Sequence, residues 1–185
     1  MKYFPKLPGE KVYLSPMCLD DAEAFTEWFN DLGTSRFLTL ASAQITLHGE
    51  REHLVALSKG QVYSIIERGT DRLLGNCGLV EIDQTSRSAE VGIFIGPADA
   101  RGKGYGTEAL RLLCDYAFNA LGIHSIMLRV YAYNTRAIAS YRKAGFKELG
   151  RRRQAHFYAG AYHDIIMMDL LAEEFGPSAL PPARC

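Results

Sequence analysis

The run Asp99-Ala100-Arg101-Gly102-Lys103-Gly104-Tyr105-Gly106-Thr107-Glu108 most constrains what this chain can become. Before it lies an apolar segment, Glu90 to Ile95. After it, Leu110, Leu113, Ala117 and Leu121 recur at helical spacing. A strand must therefore end, a turn bare of side chains must follow, and a helix must begin at once. Glycines at 102, 104 and 106 let backbone N–H groups approach a ligand closely. The N–H groups of a helix's first turn lack intrahelical partners and carry the positive end of its dipole. Arg101 and Lys103 add cationic charge there, so the segment suits an anion such as phosphate. A plain glycine-rich turn before a surface helix fits the same spelling.

Two common phosphate loops are excluded by that spelling. A Walker A loop needs Ser or Thr after its lysine, whereas Lys103 is followed by Gly104. A Gly-x-Gly-x-x-Gly fingerprint begun at Gly102 would need glycine where Thr107 stands. Composition removes further classes. The 185 residues make one domain with a real core. Lys and Arg number 21 and Asp and Glu number 21, so no bulk charge argues for nucleic acid or a membrane surface. No apolar run reaches membrane-spanning length, and Met1 to Pro5 carries no signal-peptide core. Cys18, Cys77, Cys114 and Cys185 form no CxxC pair, and the histidines show no HExxH spacing. These features read as reduced thiols in a cytoplasmic protein without a metal site.

Periodicity and breakers give the order β-α-α-β-β-β-α-β-α-β-β. Val12 to Leu14 opens as a strand, and a helix starts at Asp20 with Ala24, Phe25, Trp28 and Phe29 on one stripe. Thr34 to Gln44 reads as a loop and Thr46 to Ser58 as a second helix. Strands at 62–67, 73–82 and 89–95 are joined by hairpin breakers. A helix over 105–121 and a strand over 125–133 follow. Asn134 caps a helix that Gly145 ends, and two strands at about 146–157 and 162–170 close the domain. Meander first and β-α-β units later predict an α+β domain, with a mixed, mostly antiparallel sheet of about seven strands and about four helices. Residues 1–175 form the single domain, and the Pro- and Ala-rich tail 176–185 is expected to be disordered.

Arg101, Gly104 and Gly106 spell Gln/Arg-x-x-Gly-x-Gly/Ala. Asn134, Ala137, Tyr141, Lys143, Gly145 and Phe146 spell Asn-x-x-Ala/Ser-x-x-x-Tyr-x-Lys-x-Gly-Phe. Asn134 and Tyr141 are about two helical turns apart and share a face. Together these motifs resemble the GCN5-related N-acetyltransferases, the GNAT family, over roughly Lys11 to Leu171. The resemblance implies the α/β/α-layered GNAT fold and acetyl-CoA as co-substrate without a metal. By the same resemblance Arg101, Gly102, Lys103, Gly104, Tyr105, Gly106 and Thr107 hold the pyrophosphate. Asn134 and Tyr141 contact the rest of CoA, while Phe94 and Ile95 lend backbone to the pantetheine and the oxyanion. Tyr141 is the candidate general acid for the leaving thiolate. Glu90 is the first candidate base, although an exposed strand carboxylate fits it equally. His156, His163 and Asp164 are further base candidates.

His156 to Asp164 and Leu14 to Ala22 look like the RimJ/RimL branch, whose acceptors run from protein N-termini to polyamines. The acceptor is then a primary amine, on a small molecule or a protein N-terminus. Trp28, Phe29, Phe37, Tyr131 and Tyr158 are candidates to line its groove, and Asp20-Asp21 to attract a polyamine. Two other readings remain: a non-catalytic acyl-CoA-binding sensor, and a nucleic-acid binder using Arg151-Arg152-Arg153. Three arginines near a strand end suit a solvated surface better, and no membrane partner is expected. The resemblance also allows a homodimer through the last strands.

Overall fold

In the computed structural model, which describes residues 2–181, an eight-stranded sheet carries helices on both faces. The strands are β1 (Leu7–Pro8), β2 (Val12–Pro16), β3 (Gln61–Glu67), β4 (Leu73–Asp83), β5 (Ser88–Ile95), β6 (Ser125–Tyr131), β7 (Lys147–Tyr158) and β8 (Ala161–Leu171). Their order is β1-β2-β3-β4-β5-β6-β8-β7. Every neighbouring pair is antiparallel except β5 and β6. Hairpin turns suffice within the meander β2–β5 once the chain has crossed to β3. The parallel pair needs a crossover helix, and the stretch after the glycine run supplies it.

The helices are α1 (Ala22–Asn30), α2 (Leu32–Ser35), α3 (Leu47–Leu57), α4 (Tyr105–Asn119) and α5 (Thr135–Ala144). Strand alternation divides them between two cores. Ala89 and Val91 of β5 join Ile126, Leu128 and Val130 of β6 against Ala109, Leu110, Leu113 and Ala117 of α4. Phe94 points the other way, into Phe25, Phe29 and Leu54 of α1 and α3. Caps define the ends: the Thr46 side chain accepts from Gly49 N–H, Asn134 accepts from Ala137 N–H, and Gly145 closes α5 at φ +111°.

The expected α+β layering is observed, with two additions. The two-residue β1 extends the sheet edge, and the four-residue α2 occupies part of the expected loop from Thr34. Asp31 explains α2, since its carboxylate accepts from Gly33 N–H and so caps a turn too short for periodicity to reveal. A 3₁₀ turn over Leu19–Asp21 precedes α1. Where disorder was expected from Gly176, the described part of the tail is held: Ala179 N–H donates to Asp115 Oδ2 at 2.8 Å, and Leu180 packs on the core. Residues 182–185, with Cys185, lie outside the described residues.

Gly75 sets how closely β4 can hold the end of β5. Its φ is +147°, and a Cβ there would lie 2.0 Å from the Phe94 carbonyl oxygen. Gly75→Ala is expected to cost about 2–3 kcal/mol, since backbone must shift to admit the methyl group. Urea unfolding checks this, and an unchanged midpoint would contradict it.

Candidate functional site

The two parallel strands part company early. β5 and β6 pair at Ser88–Ser125, Ala89–Ile126 and Glu90–Met127 and no further. Beyond that point β5 stays with β4 as far as Gly75–Ile95, while β6 stays with β8 as far as Tyr131–Ile165. A wedge therefore opens between two strands that are each held from outside. Gly96 N–H donates to Leu74 O at 2.9 Å, so by alternation Phe94 also turns its backbone toward β4. Val91, Ile93 and Ile95 present theirs to the wedge. Ile95 thus turns its backbone to the wedge, whereas Phe94 turns its own to β4 and buries its side chain among α1 and α3. Ile93 shares the orientation of Ile95 and was not anticipated; strict alternation was the signal for it.

The wedge is the floor of a cleft of about 500 Å³. Gly102, Gly104, Tyr105, Gly106 and Thr107 border it at the start of α4, and Asn134, Arg136, Ser140, Tyr141 and Lys143 border it from α5. Gly102 and Gly104 take φ +79° and +90°, which favour glycine, and Gly104 caps α4. The first helical N–H groups are thereby bared toward the cleft. Thr107 and Ser140 hydroxyls meet at 2.7 Å and join the two helices at this mouth.

The side chains of the loop behave less uniformly than their sequence suggests. Arg101 turns back into the fold, its Nη2 donating to Gly96 O at 2.6 Å and Thr34 Oγ1 at 2.9 Å, and its Nε to Ile95 O at 3.2 Å. Its guanidinium fastens the loop to the end of β5, and burial with Arg136 nearby lowers its pKa. The Tyr105 hydroxyl donates to Glu67 on β3, which ties the start of α4 to the meander. Lys103 does not line the cleft; its carbonyl accepts from Lys11 Nζ at 3.2 Å. That contact brings Lys11 to the glycine loop from far away in sequence, which no local pattern could show.

Tyr141 is half-buried in the cleft wall, and burial pushes its phenol up to about 12. It therefore carries its proton throughout the neutral range. Across the root of the wedge, Glu90 meets Arg129: Nε donates to Oε1 at 2.9 Å, and Nη2 lies 2.8 Å from Oε2. The second approach is off the hydrogen-bonding axis, so it is a Coulombic contact. The pairing raises the Arg129 pKa further.

None of the other base candidates borders the cleft. His156 stacks on Tyr131 at 3.8 Å between ring centroids, and burial lowers its pKa. His163 faces Tyr158 O at 3.3 Å, and Asp164 Oδ1 accepts from Gln154 N–H. Of the groove candidates, Phe37 borders the cleft and packs at a tilt against Tyr133, a residue not anticipated, whose hydroxyl donates to Arg36 O at 2.6 Å. Trp28 instead lies on Gly96, where a Cβ would come within 2.2 Å of it, and Phe29 packs on Phe94. Tyr131 is buried under His156. Asp21 does not face an acceptor either, being buried against Tyr3 Oη and Lys2 Nζ at 2.9 and 2.6 Å. Among the described residues, no cluster of His, Cys, Asp or Glu could hold a metal ion and no helix is long and apolar enough to cross a membrane.

A split parallel pair beside a glycine cradle at a helix start agrees with what comparison finds. The family model described as an acetyltransferase (GNAT) domain matches residues 11–147. The chain belongs to this family, and it is an N-acetyltransferase. Probable N-acetyltransferase YjcK of Bacillus subtilis is 31% identical over 180 residues, covering 89% of this chain and 96% of that protein. A spermidine N(1)-acetyltransferase of Vibrio cholerae is 33% identical over 111 residues, which is 60% of this chain and 64% of that protein. In fold, the chain is similar to spermidine N-acetyltransferase from Vibrio cholerae in complex with CoA and spermine, with TM-score 0.81 and 23% identity over 90% of this chain and 99% of that one.

Gly104→Val places a branched side chain at φ +90°, where strain of about 1–2 kcal/mol is expected. We predict at least a tenfold loss of CoA affinity by calorimetry, with the melting temperature lowered by only a few degrees. Unchanged affinity would remove the loop from the binding site.

Proposed function

We propose that the cleft holds acetyl-CoA and passes its acetyl group directly to a primary amine, on a small molecule or a peptide N-terminus. A RimJ/RimL-like range of acceptors belongs to the same proposal. One observation carries it: β5 and β6 separate after Glu90 and Met127, and the glycine cradle of α4 and Tyr141 border the space so opened. An extended pantetheine chain fits between strands whose facing amides lack a strand partner, as an added strand does. The bared N–H groups at 104–107, with Arg136 and Lys143, fit its phosphates.

Acetyl-CoA brings an activated thioester to the amine. The chain's own residues then do three things. The N–H of Ile95 or Ile93 is placed to stabilise charge on the acetyl oxygen. Tyr141, protonated at neutral pH, gives its proton to the leaving sulfur and is restored, through solvent, by the proton that the acylated nitrogen releases. A free thiol is more acidic than this phenol, but the burial that raises Tyr141 also raises the basicity of a thiolate beside it. Glu90 takes an orienting role. Arg129 already engages its carboxylate, and the amine loses its proton to bulk water and reacts as free base.

Two measurements test the proposal. Tyr141→Phe should lower kcat about 100-fold with little change in the KM for acetyl-CoA; wild-type turnover in this variant would remove Tyr141 as the acid. In pH profiles, log kcat/KM should rise to a plateau at each acceptor's own pKa, near 10.4 for an alkylamine. No falling limb from Tyr141 is expected below about 12. A rising limb fixed at one pH for all acceptors would instead identify a basic group on the enzyme.

A further inference from the structure

The pair that crosses the root of the wedge has a consequence for which amines the site admits. Glu90 sits at the last paired position of β5, and its side chain is 13% exposed. Arg129 lies two residues beyond Met127, the partner of Glu90 on β6, and so points from the same face of the sheet. This face carries Phe94 and lies opposite α4 and α5, so it is the side left for the acceptor once the donor occupies the helix side. Among the described residues that border the cleft, Glu90 is the one carboxylate; Arg101, Arg129, Arg136 and Lys143 supply positive charge. Arg129 engages both oxygens of that carboxylate.

A second hollow, of about 290 Å³, continues from Glu90 along the same strands. Glu81 and Asp169 border it with Met127 and Leu149. Part of its acidity is answered by Arg129, whose Nη2 lies 3.8 Å from Glu81 Oε1; Lys147, opposite Asp169 in the β7–β8 register, pairs with Glu174 instead. A linear polyamine laid from the cleft into this hollow would meet the Arg129 guanidinium at the point where its second ammonium seeks an anion.

We infer that Arg129 sets the acceptor class, selecting amines of single positive charge over polyamines by occupying Glu90 and screening Glu81. The inference rests on the acetyl-transfer reading above and names the substrate class of that same site. Selectivity of this kind is a repulsive device: Glu90 and Glu81 suit a polycation, and one guanidinium closes both off.

The test is thiol release from acetyl-CoA with phenethylamine, a dipeptide amide with uncharged side chains and spermidine, using the full chain. For the wild type, kcat/KM with the better mono-amine should exceed that with spermidine at least tenfold. In Arg129→Gln the ratio should move toward spermidine at least tenfold, chiefly through a lower KM for spermidine, while Arg129→Lys keeps the wild-type order. Spermidine equalling the mono-amines on wild type overturns the inference and leaves acetyl transfer standing. An unchanged ratio in folded Arg129→Gln also overturns it, and the wild-type panel decides even if that variant fails to fold. CoA binding without thiol release to any amine overturns the acetyl-transfer reading, and this inference with it.

Discussion

Everything in the site depends on the parting of β5 and β6 after Glu90 and Met127. Two strands can diverge only if each remains satisfied on its other edge, because unpaired buried amides are costly. β4 holds β5 as far as Ile95, and β8 holds β6 as far as Tyr131. Gly75 permits the first of these grips by standing where any Cβ would strike the Phe94 carbonyl. The open wedge is thus a property of the whole sheet rather than of the two strands that line it.

The helices then complete what the wedge begins. A short loop, with Gly102 and Gly104 at positive φ, leads from the end of β5 to the start of α4 and brings its first N–H groups to the mouth. Arg101 locks that junction by spending its guanidinium on Ile95, Gly96 and Thr34. α5 follows β6 directly and lays Tyr141 along the opposite wall, joined to α4 through Thr107 and Ser140. On the acetyl-transfer reading, the donor-binding groups come from the two connections that flank the parallel pair, and the other face of the sheet, where Glu90 and Arg129 meet, is left to the acceptor.

Local chemistry was legible in the sequence, and long-range chemistry was not. The glycine loop, the Asn134 cap and the Gly145 stop are written within a few residues, and each stands where spacing put it. Which residues of β5 turn their backbone to the wedge was not legible, because that direction needs a known neighbour strand; Phe94 turns its own to β4 and Ile93 to the wedge. Arg101 spells a phosphate ligand yet bonds to carbonyls, since no local pattern tells a guanidinium which oxygen it will find. Asp21 reads as a surface carboxylate until Tyr3 and Lys2 fold over it. The Glu90–Arg129 and Lys11–Lys103 contacts join residues distant in sequence and appear only once the sheet order is known.

Amide hydrogen exchange with and without acetyl-CoA tests the central claim most directly. The account predicts that the N–H groups of Ile93, Ile95 and residues 104–107 gain protection together on binding, while β1 and β2 stay unchanged. Tight binding that leaves Ile93 and Ile95 exchanging as before would contradict it, because the donor would then lie outside the wedge.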